Sequence, residues 1–422
     1  MPGDSRPLEL APKPALGCWL APVFAAAAIW LGFIATVNHW NIVIWPQTMA
    51  RYGLPFLDMQ GHLASSHAFA NGTLVPGKPV PGDPIQRIHS GPTWMLWLGF
   101  TGLGPDHTIP FAAFCLAAFL ATVAITIRPR NATESMTLLL CLLSPPLMLL
   151  VERGNIDLLV YVALAGAFAL LGSSLVRARW YGWLLIAGFV GFKYYPALAF
   201  AGLTEMPANR RTKLLLLTLA AATVALFIGW NWQEILYVSG HQVENRFYPF
   251  FGSRELLLII GCEFQAAIWI SLLGWLVLTI GLAILPGPLS KGELAGNARK
   301  ISFVGGAAIV LFCFLATSSP DYRLVFFLFC LPWLWTLCDP GPGALPALRR
   351  LSVLCLLSFL IAPWSGTLLG RASLAIESTS LWWTVILFKQ ATWWTMTSCL
   401  GALLLRLLLA SGLELLGRAR PT

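Results

Sequence analysis

The sequence is poor in charge. Of 422 residues only 11% are Asp, Glu, Lys or Arg, and the acids are the scarcer half, 18 against 27 basic residues. A soluble domain carries roughly 25% charged residues, so a chain that is also 57% hydrophobic lacks the polar surface to cover itself in water and takes the bilayer as its solvent. Metal-ligand spacing is missing too. The nine cysteines (18, 115, 141, 262, 313, 330, 338, 355 and 399) form no C-x-x-C pair, fall almost entirely in apolar runs and read as small buried hydrophobes. The first apolar run starts near Ala15, behind Arg6 and Lys13, and continues past Thr36 without a cleavage site closing it, which makes it an uncleaved first span. There is no repeat of fixed period, no low-complexity tract and no linker between soluble domains. One membrane domain over 15–411 is expected, with a cytoplasmic N-terminus at 1–14 and a cytoplasmic tail at 412–422. The net charge of +9 comes from short basic clusters between apolar runs rather than from one basic face. It therefore speaks for orientation in a membrane and against a nucleic-acid partner.

What is present in quantity is apolar length. A helix crossing the hydrocarbon core needs about 20 apolar residues. On that measure spans are expected at 15–37, 107–127, 134–151, 155–175, 212–231, 263–286, 301–318, 321–338, 351–370 and 392–411. Two further pieces read as half-spans: 91–104 is too short to cross upright, and 180–204 carries FKYYP at its centre. There Pro196 removes a backbone donor, so 180–192 and 196–204 are expected to form a hairpin, a break that survives at membrane depth only where it lines a cavity. The sum is an all-α polytopic bundle of about 11–12 spans. Nineteen Trp supply interfacial belts, and 29 Pro and 37 Gly suit membrane helices better than soluble ones.

Basic clusters fix the orientation. Arg128 and Arg130, Arg177 and Arg179, Arg210 to Lys213, Lys291 to Lys300, Arg349 and Arg350, and Arg418 and Arg420 are all cytoplasmic in one consistent threading. The opposite face then holds the long first loop 38–90, ERGNID, the tip FKYYP, the loop 232–255, SSPDYR and 371–391. Nearly every unusual polar residue lies there.

Each of those has a bland account beside a chemical one. In PFLDMQGHLASSHAF, Asp58 and His62 share a helical face at four-residue spacing, either as a base with its supporting imidazole or as incidental groups on a solvated amphipathic helix. PGDP around Asp83 reads as turn chemistry. In ERGNID, Asn155 as N-cap and Asp157 in the first turn explain two residues. Glu152 and Arg153 remain, and charges at membrane depth must pair or line a wet cavity. Lys193, beside Tyr194, is either an anion ligand at a helix break or a snorkelling lysine. In SSPDYR, Ser319, Pro320 and Asp321 make a helix start, which leaves Tyr322 and Arg323 entering an apolar run. An arginine so placed is a bidentate phosphate partner. The 232–255 loop adds His241, Arg246 and Arg254 among aromatics suited to sugar rings, although aromatics are expected at an interface anyway.

The order of Asp58 in the first external loop, ERGNIDLLVYVAL, GFVGFKYYPALA and PDYRLVFFL resembles the polyprenol-phosphate-sugar-dependent glycosyltransferases of the C-type superfamily. It looks most like glycosyltransferase family 87, which includes the mannosyltransferase of late phosphatidylinositol mannoside synthesis. The likeness covers roughly 15–340. It implies Asp58 as catalytic carboxylate, an inverting transfer with no cofactor, Asn155 and Asp157 near the donor, and Lys193 with Pro196 as the family's lysine and helix break. The chain departs from the pattern in having no aromatic a few positions after Asp58, and in reading ERGN where a plainer polar-Asn pattern is usual.

The expectation is a multi-pass transferase of a bacterial plasma membrane, its active site external. It would move one sugar, mannose by the resemblance, from a polyprenyl phosphate to a lipid or glycan acceptor without a metal. Asp58 is the expected base, and Arg153, Lys193, Arg323 and Arg254 the phosphate contacts. His62, Glu152, Asn155, Asp157, Tyr194, Tyr322 and His241 are expected in sugar-binding or supporting roles. The competing readings are a lipid or glycan transporter, against which no inverted repeat is found, and a polymerase or ligase of lipid-linked glycans.

Overall fold

The computed structural model describes residues 16–36, 56–75, 78–83, 98–233, 250–284, 297–315, 319–338, 346–375 and 379–415. Within these, the chain is an all-α membrane protein. Its helices are α1 Leu16–Thr36, α2 Leu57–Ala70, α3 Thr108–Thr126, α4 Ala132–Leu142, α5 Pro145–Arg153, α6 Asp157–Leu171, α7 Val176–Val190 and α8 Arg210–Trp230. They continue with α9 Glu255–Ile259, α10 Phe264–Ile284, α11 Asn297–Leu315, α12 Leu331–Cys338, α13 Pro346–Ala375 and α14 Thr379–Leu415. Two longer 3-10 segments, Tyr195–Glu205 and Asp321–Phe329, interrupt the series.

Among the described residues six helices are long and apolar enough to cross a membrane: Pro105–Thr126, Arg210–Trp230, Phe264–Ile284, Ala298–Leu315, Pro346–Ser365 and Ser380–Leu413. The pair α4 and α5, bent by 50°, passes the same test only when taken together, as a broken span or a re-entrant loop. The bend has a local cause. Ser144 is extended (φ −62°, ψ 147°) ahead of Pro145 and Pro146, which cannot donate to the preceding turn. This is fewer uninterrupted crossings than hydropathy counts, because apolar composition does not see breaks. The apolar run 155–175 yields a 15-residue α6, and the run 321–338 is a 3-10 segment followed by the eight-residue α12. The expected half-span 91–104 falls mostly outside the described residues. The expected external stretch 371–391 is largely helical, its ends absorbed into α13 and α14.

The expected break at FKYYP is present. Helix α7 stops at Val190, and the chain restarts at Tyr195 as an 11-residue 3-10 helix with Pro196 in its first turn. Such runs rarely exceed about four residues, and here both of them lead away from candidate site residues. SSPDYR differs from expectation: Ser319–Pro320 pairs antiparallel with Phe250–Phe251 in a two-residue strand contact instead of capping an α-helix. Proline has no N–H to lose at such an edge. The pairing draws the loop before α9 onto the entry to Arg323.

Helix α11 is the hub. It packs against both 3-10 segments and α6, and on its inner face Gly305 and Gly306 let the neighbours come close. A Cβ on Gly306 would lie 2.6 Å from the Phe329 Cβ and 3.0 Å from the Phe326 carbonyl oxygen. Phe329 in turn stacks on Tyr161 at 4.2 Å and meets Phe168 edge-on at 5.0 Å. Small residues at membrane helix contacts allow this approach, where van der Waals packing replaces the hydrophobic effect. At the other side Trp394 of α14 covers Gly274 of α10, and Trp275 of α10 covers Gly401 of α14. Leu226, Trp269, Leu273 and Val277 on α8 and α10 point outward, as lipid-facing residues do.

Gly306→Ala is expected to lower the unfolding free energy in detergent by about 1–3 kcal/mol through overpacking. Gly281→Ala, with nothing within 4 Å of its Cβ position, is expected to leave the thermal unfolding midpoint unchanged.

Candidate functional site

The site is built where α2 meets the turn between α5 and α6. Helix α5 ends in a Schellman motif: Asn155 N–H donates to the Leu150 carbonyl and Gly154 N–H to the Val151 carbonyl, with Gly154 in the left-handed region at φ 56°. Against it lies Phe56, the one non-glycine residue with positive φ (61°) among the described residues, whose N–H donates to the Glu152 carbonyl at 3.1 Å. A Cβ on Gly154 would stand 2.8 Å from that of Phe56, so glycine serves both the turn and the approach. This junction seats the first turn of α2 in the protein and buries Asp58 (6% exposed), where the helix dipole favours a carboxylate. The helix is docked, not solvated: Leu57, Met59, Leu63, Ala64 and Ala68 are buried with Asp58. His62 lies one turn further on and is half-buried.

From Asp58 a polar array runs inward. Asn155 Nδ2 donates to Asp58 Oδ2 at 2.7 Å, and Arg153 Nη1 is 3.6 Å from Asp58 Oδ1. Asn155 Oδ1 accepts from the Asp157 N–H at 3.0 Å, the capping role read from the sequence, and also from Lys193 Nζ at 3.2 Å. Lys193 Nζ lies 2.7 Å from Asp157 Oδ1, which also accepts the Tyr195 hydroxyl at 2.5 Å. The Arg323 guanidinium sits over the Tyr195 ring, 5.4 Å from its centroid.

Thus Asp58, Arg153, Asn155, Asp157 and Lys193, drawn from three separate stretches of chain, are joined directly, and Arg323 joins through Tyr195. Glu152 beside them is fully enclosed. Such matching is what burial at membrane depth demands. Lys193 is not a snorkelling residue; its side chain is 14% exposed and its head is held by Asp157 and Asn155.

Other candidates stand apart. Tyr194 turns to α8, its ring tilted against Phe227 at 5.6 Å. Arg254 is buried at the start of α9 over the Phe264 ring, 4.6 Å from its centroid. It shares the end of the molecule that carries Arg323, because Ser253 N–H donates to the Phe314 carbonyl beside the strand contact. Burial lowers its pKa and Glu255 opposes this; an arginine remains a cation at physiological pH regardless. His241 and the Tyr322 side chain lie outside the described residues. Around Asp83 the structure has the expected turn, Asp83 N–H donating to the Val80 carbonyl over Gly82 at φ 80°. Among the described residues no three His, Cys, Asp or Glu side chains gather as metal ligands.

No protein-family model, curated protein or solved structure matches the chain. The site therefore speaks through its own chemistry. It offers a buried carboxylate oriented by an amide and an arginine, linked through that amide to a lysine.

The Lys193 and Asp157 pair gives a direct test. Lys193→Met is expected to destabilise the protein by about 3–5 kcal/mol, because it strands a buried carboxylate. Asp157→Asn combined with Lys193→Met should recover most of that loss, measured by thermal unfolding in detergent.

Proposed function

We propose that this protein is a membrane glycosyltransferase of the C-type kind, built on about 11–12 membrane segments when broken and short ones are counted. It transfers a single sugar, mannose by its resemblance to glycosyltransferase family 87, from a polyprenyl-phosphate donor to a lipid or glycan acceptor. The observation that carries this reading is the array from Asp58 to Lys193. A carboxylate on the loop that follows the first span lies within one connected group of a lysine at a helix break and an arginine at a helix terminus. Taken singly, each has a bland account; a solvated helix, a helix cap and a snorkelling lysine have no reason to meet.

In this reading Asp58 takes the proton of the acceptor hydroxyl as that oxygen attacks the anomeric carbon. The bond to the phosphate oxygen breaks on the opposite side, inverting the configuration and releasing the polyprenyl phosphate. Asn155 holds one Asp58 oxygen and Arg153 lies against the other, which fixes the carboxylate's orientation. Lys193 and Arg323 receive the negative charge that grows on the departing phosphate, in a setting where few waters compete. Arg153 places a positive charge beside Asp58. His62 and Glu152 support the carboxylate's helix and the turn, and Arg254 serves the outer part of the donor path. The N-terminus is cytoplasmic and the site external, in the plasma membrane of a bacterium.

The test is transfer of labelled mannose from polyprenyl-phosphate mannose to a membrane lipid extract by purified protein. Wild type should consume donor, and Asp58→Asn should be slower by about 10²–10⁴-fold. Equal rates in the two would remove Asp58 from the chemistry, and no consumption by wild type would remove the transferase reading.

A further inference from the structure

The scheme above makes no use of the seam between α10 and α14, where polar side chains gather inside two otherwise apolar spans. On α10, Ser271, Trp275 and Thr279 share a face at four-residue spacing, while Leu273, Leu276, Val277 and Ile280 on the opposite face are exposed. On α14, Gln390, Trp394, Ser398 and Gly401 share a face in the same way. The two faces meet. A Cβ on Gly274 would stand 3.4 Å from the Trp394 ring, and one on Gly401 would stand 2.5 Å from the Trp275 ring and 3.2 Å from Thr279 Oγ1. Among the described residues Ser271 Oγ, Trp275 Nε1, Thr279 Oγ1, Gln390 Oε1 and Ser398 Oγ are enclosed without a hydrogen-bond partner. Ser271, Thr279, Gln390 and Ser398 are at most 5% exposed.

We infer that α10 and α14 form a lateral portal, a seam that parts to pass a lipid-linked sugar between the bilayer and the candidate site. Burying a polar group without a hydrogen bond forfeits its hydration and returns nothing. Five such atoms in one seam therefore mark a contact whose closed form is not its only form. Water and the hydroxyls of a sugar satisfy them when the seam is open. Uncharged donors and acceptors suit those hydroxyls, whereas a phosphate alone calls for cations. The seam is also what chiefly holds α10, which has only slight further contact with α9 and α11, so its parting disturbs little else. Finally, the seam ends beside the site. Trp394 meets Phe314 edge-on at 6.1 Å near the end of α11, and the Phe314 carbonyl accepts the Ser253 N–H next to the strand contact that leads to Arg323. Arg254 rests on the ring of Phe264, the first residue of α10.

The portal presupposes the lipid-linked sugar proposed above, and its test separates the two. Full-length Thr279→Cys in lipid nanodiscs is treated with N-ethylmaleimide. Labelling of residue 279 is compared by peptide mass spectrometry with that of Cys355, a fully buried thiol on α13. Residue 279 should label at least about tenfold faster, because local opening exposes it without global unfolding. Thr279→Val keeps the shape and removes one of the orphaned hydroxyls, which favours the closed seam. It should raise the thermal unfolding midpoint and slow the association of farnesyl-phosphate mannose, followed by stopped-flow tryptophan fluorescence, roughly fivefold or more. Labelling at the Cys355 rate, a lowered midpoint in Thr279→Val, an unchanged association rate, or no binding of farnesyl-phosphate mannose by wild type would each overturn the portal. The expected labelling and association without transfer to any acceptor would leave the portal standing and overturn the transferase reading. Transfer by a protein whose residue 279 stays protected would do the reverse.

Discussion

The carboxamide of Asn155 answers three demands at once, and the arrangement of the site depends on it. Its nitrogen donates to Asp58, and its oxygen accepts from both the Asp157 backbone and Lys193. The amide has only one workable orientation, since turning it over would set its NH₂ against the ammonium and its oxygen against the carboxylate. The residue that caps α6 thereby also separates the acid at the head of α2 from the cation at the helix break. It holds both within hydrogen-bond reach without letting them neutralise each other directly.

Around this residue the fold solves a problem that the bilayer imposes. Backbone groups and charges cannot turn to water at membrane depth, so every break in a helix must be covered by protein. The breaks at Gly154 and Lys193 meet at the start of α6, and the 321–329 segment packs on α11. The Schellman turn closes on its own carbonyls, and Phe56 borrows the Glu152 carbonyl. Lys193, Asp157, Tyr195 and Arg323 share their charges and hydrogen bonds. The lipid-facing helices α8 and α10 carry no such burden and are unbroken.

Much of this was legible in the sequence, and for identifiable reasons. Arg153, Asp157 and Lys193 stand out because charge is rare in this chain and each sits beside an apolar run, while Asn155 stood out as a helix cap and Asp58 through its four-residue spacing to His62. Pro196 announced its break through the donor it lacks. Tyr195 was not legible: two adjacent tyrosines are equivalent in a sequence, and only the start of the 3-10 segment decides that Tyr194 turns to Phe227 while Tyr195 turns to Asp157. Hydropathy likewise read 155–175 and 321–338 as whole spans, because it registers composition and not where hydrogen bonding changes register.

Composition alone thus determined that the chain lives in a membrane, that its helices carry the mass, and which few polar residues need a reason to be there. Those follow from transfer free energies, which are properties of residue types. Only the tertiary structure decided which of those residues meet. The Asp58 to Asn155 contact joins positions 97 apart, and the Lys193 to Asn155 bond joins positions 38 apart. The physical reason is that a buried charge requires a partner but does not specify one; the packing of α2 on the α5 turn, and of the broken helix on α11, makes the choice.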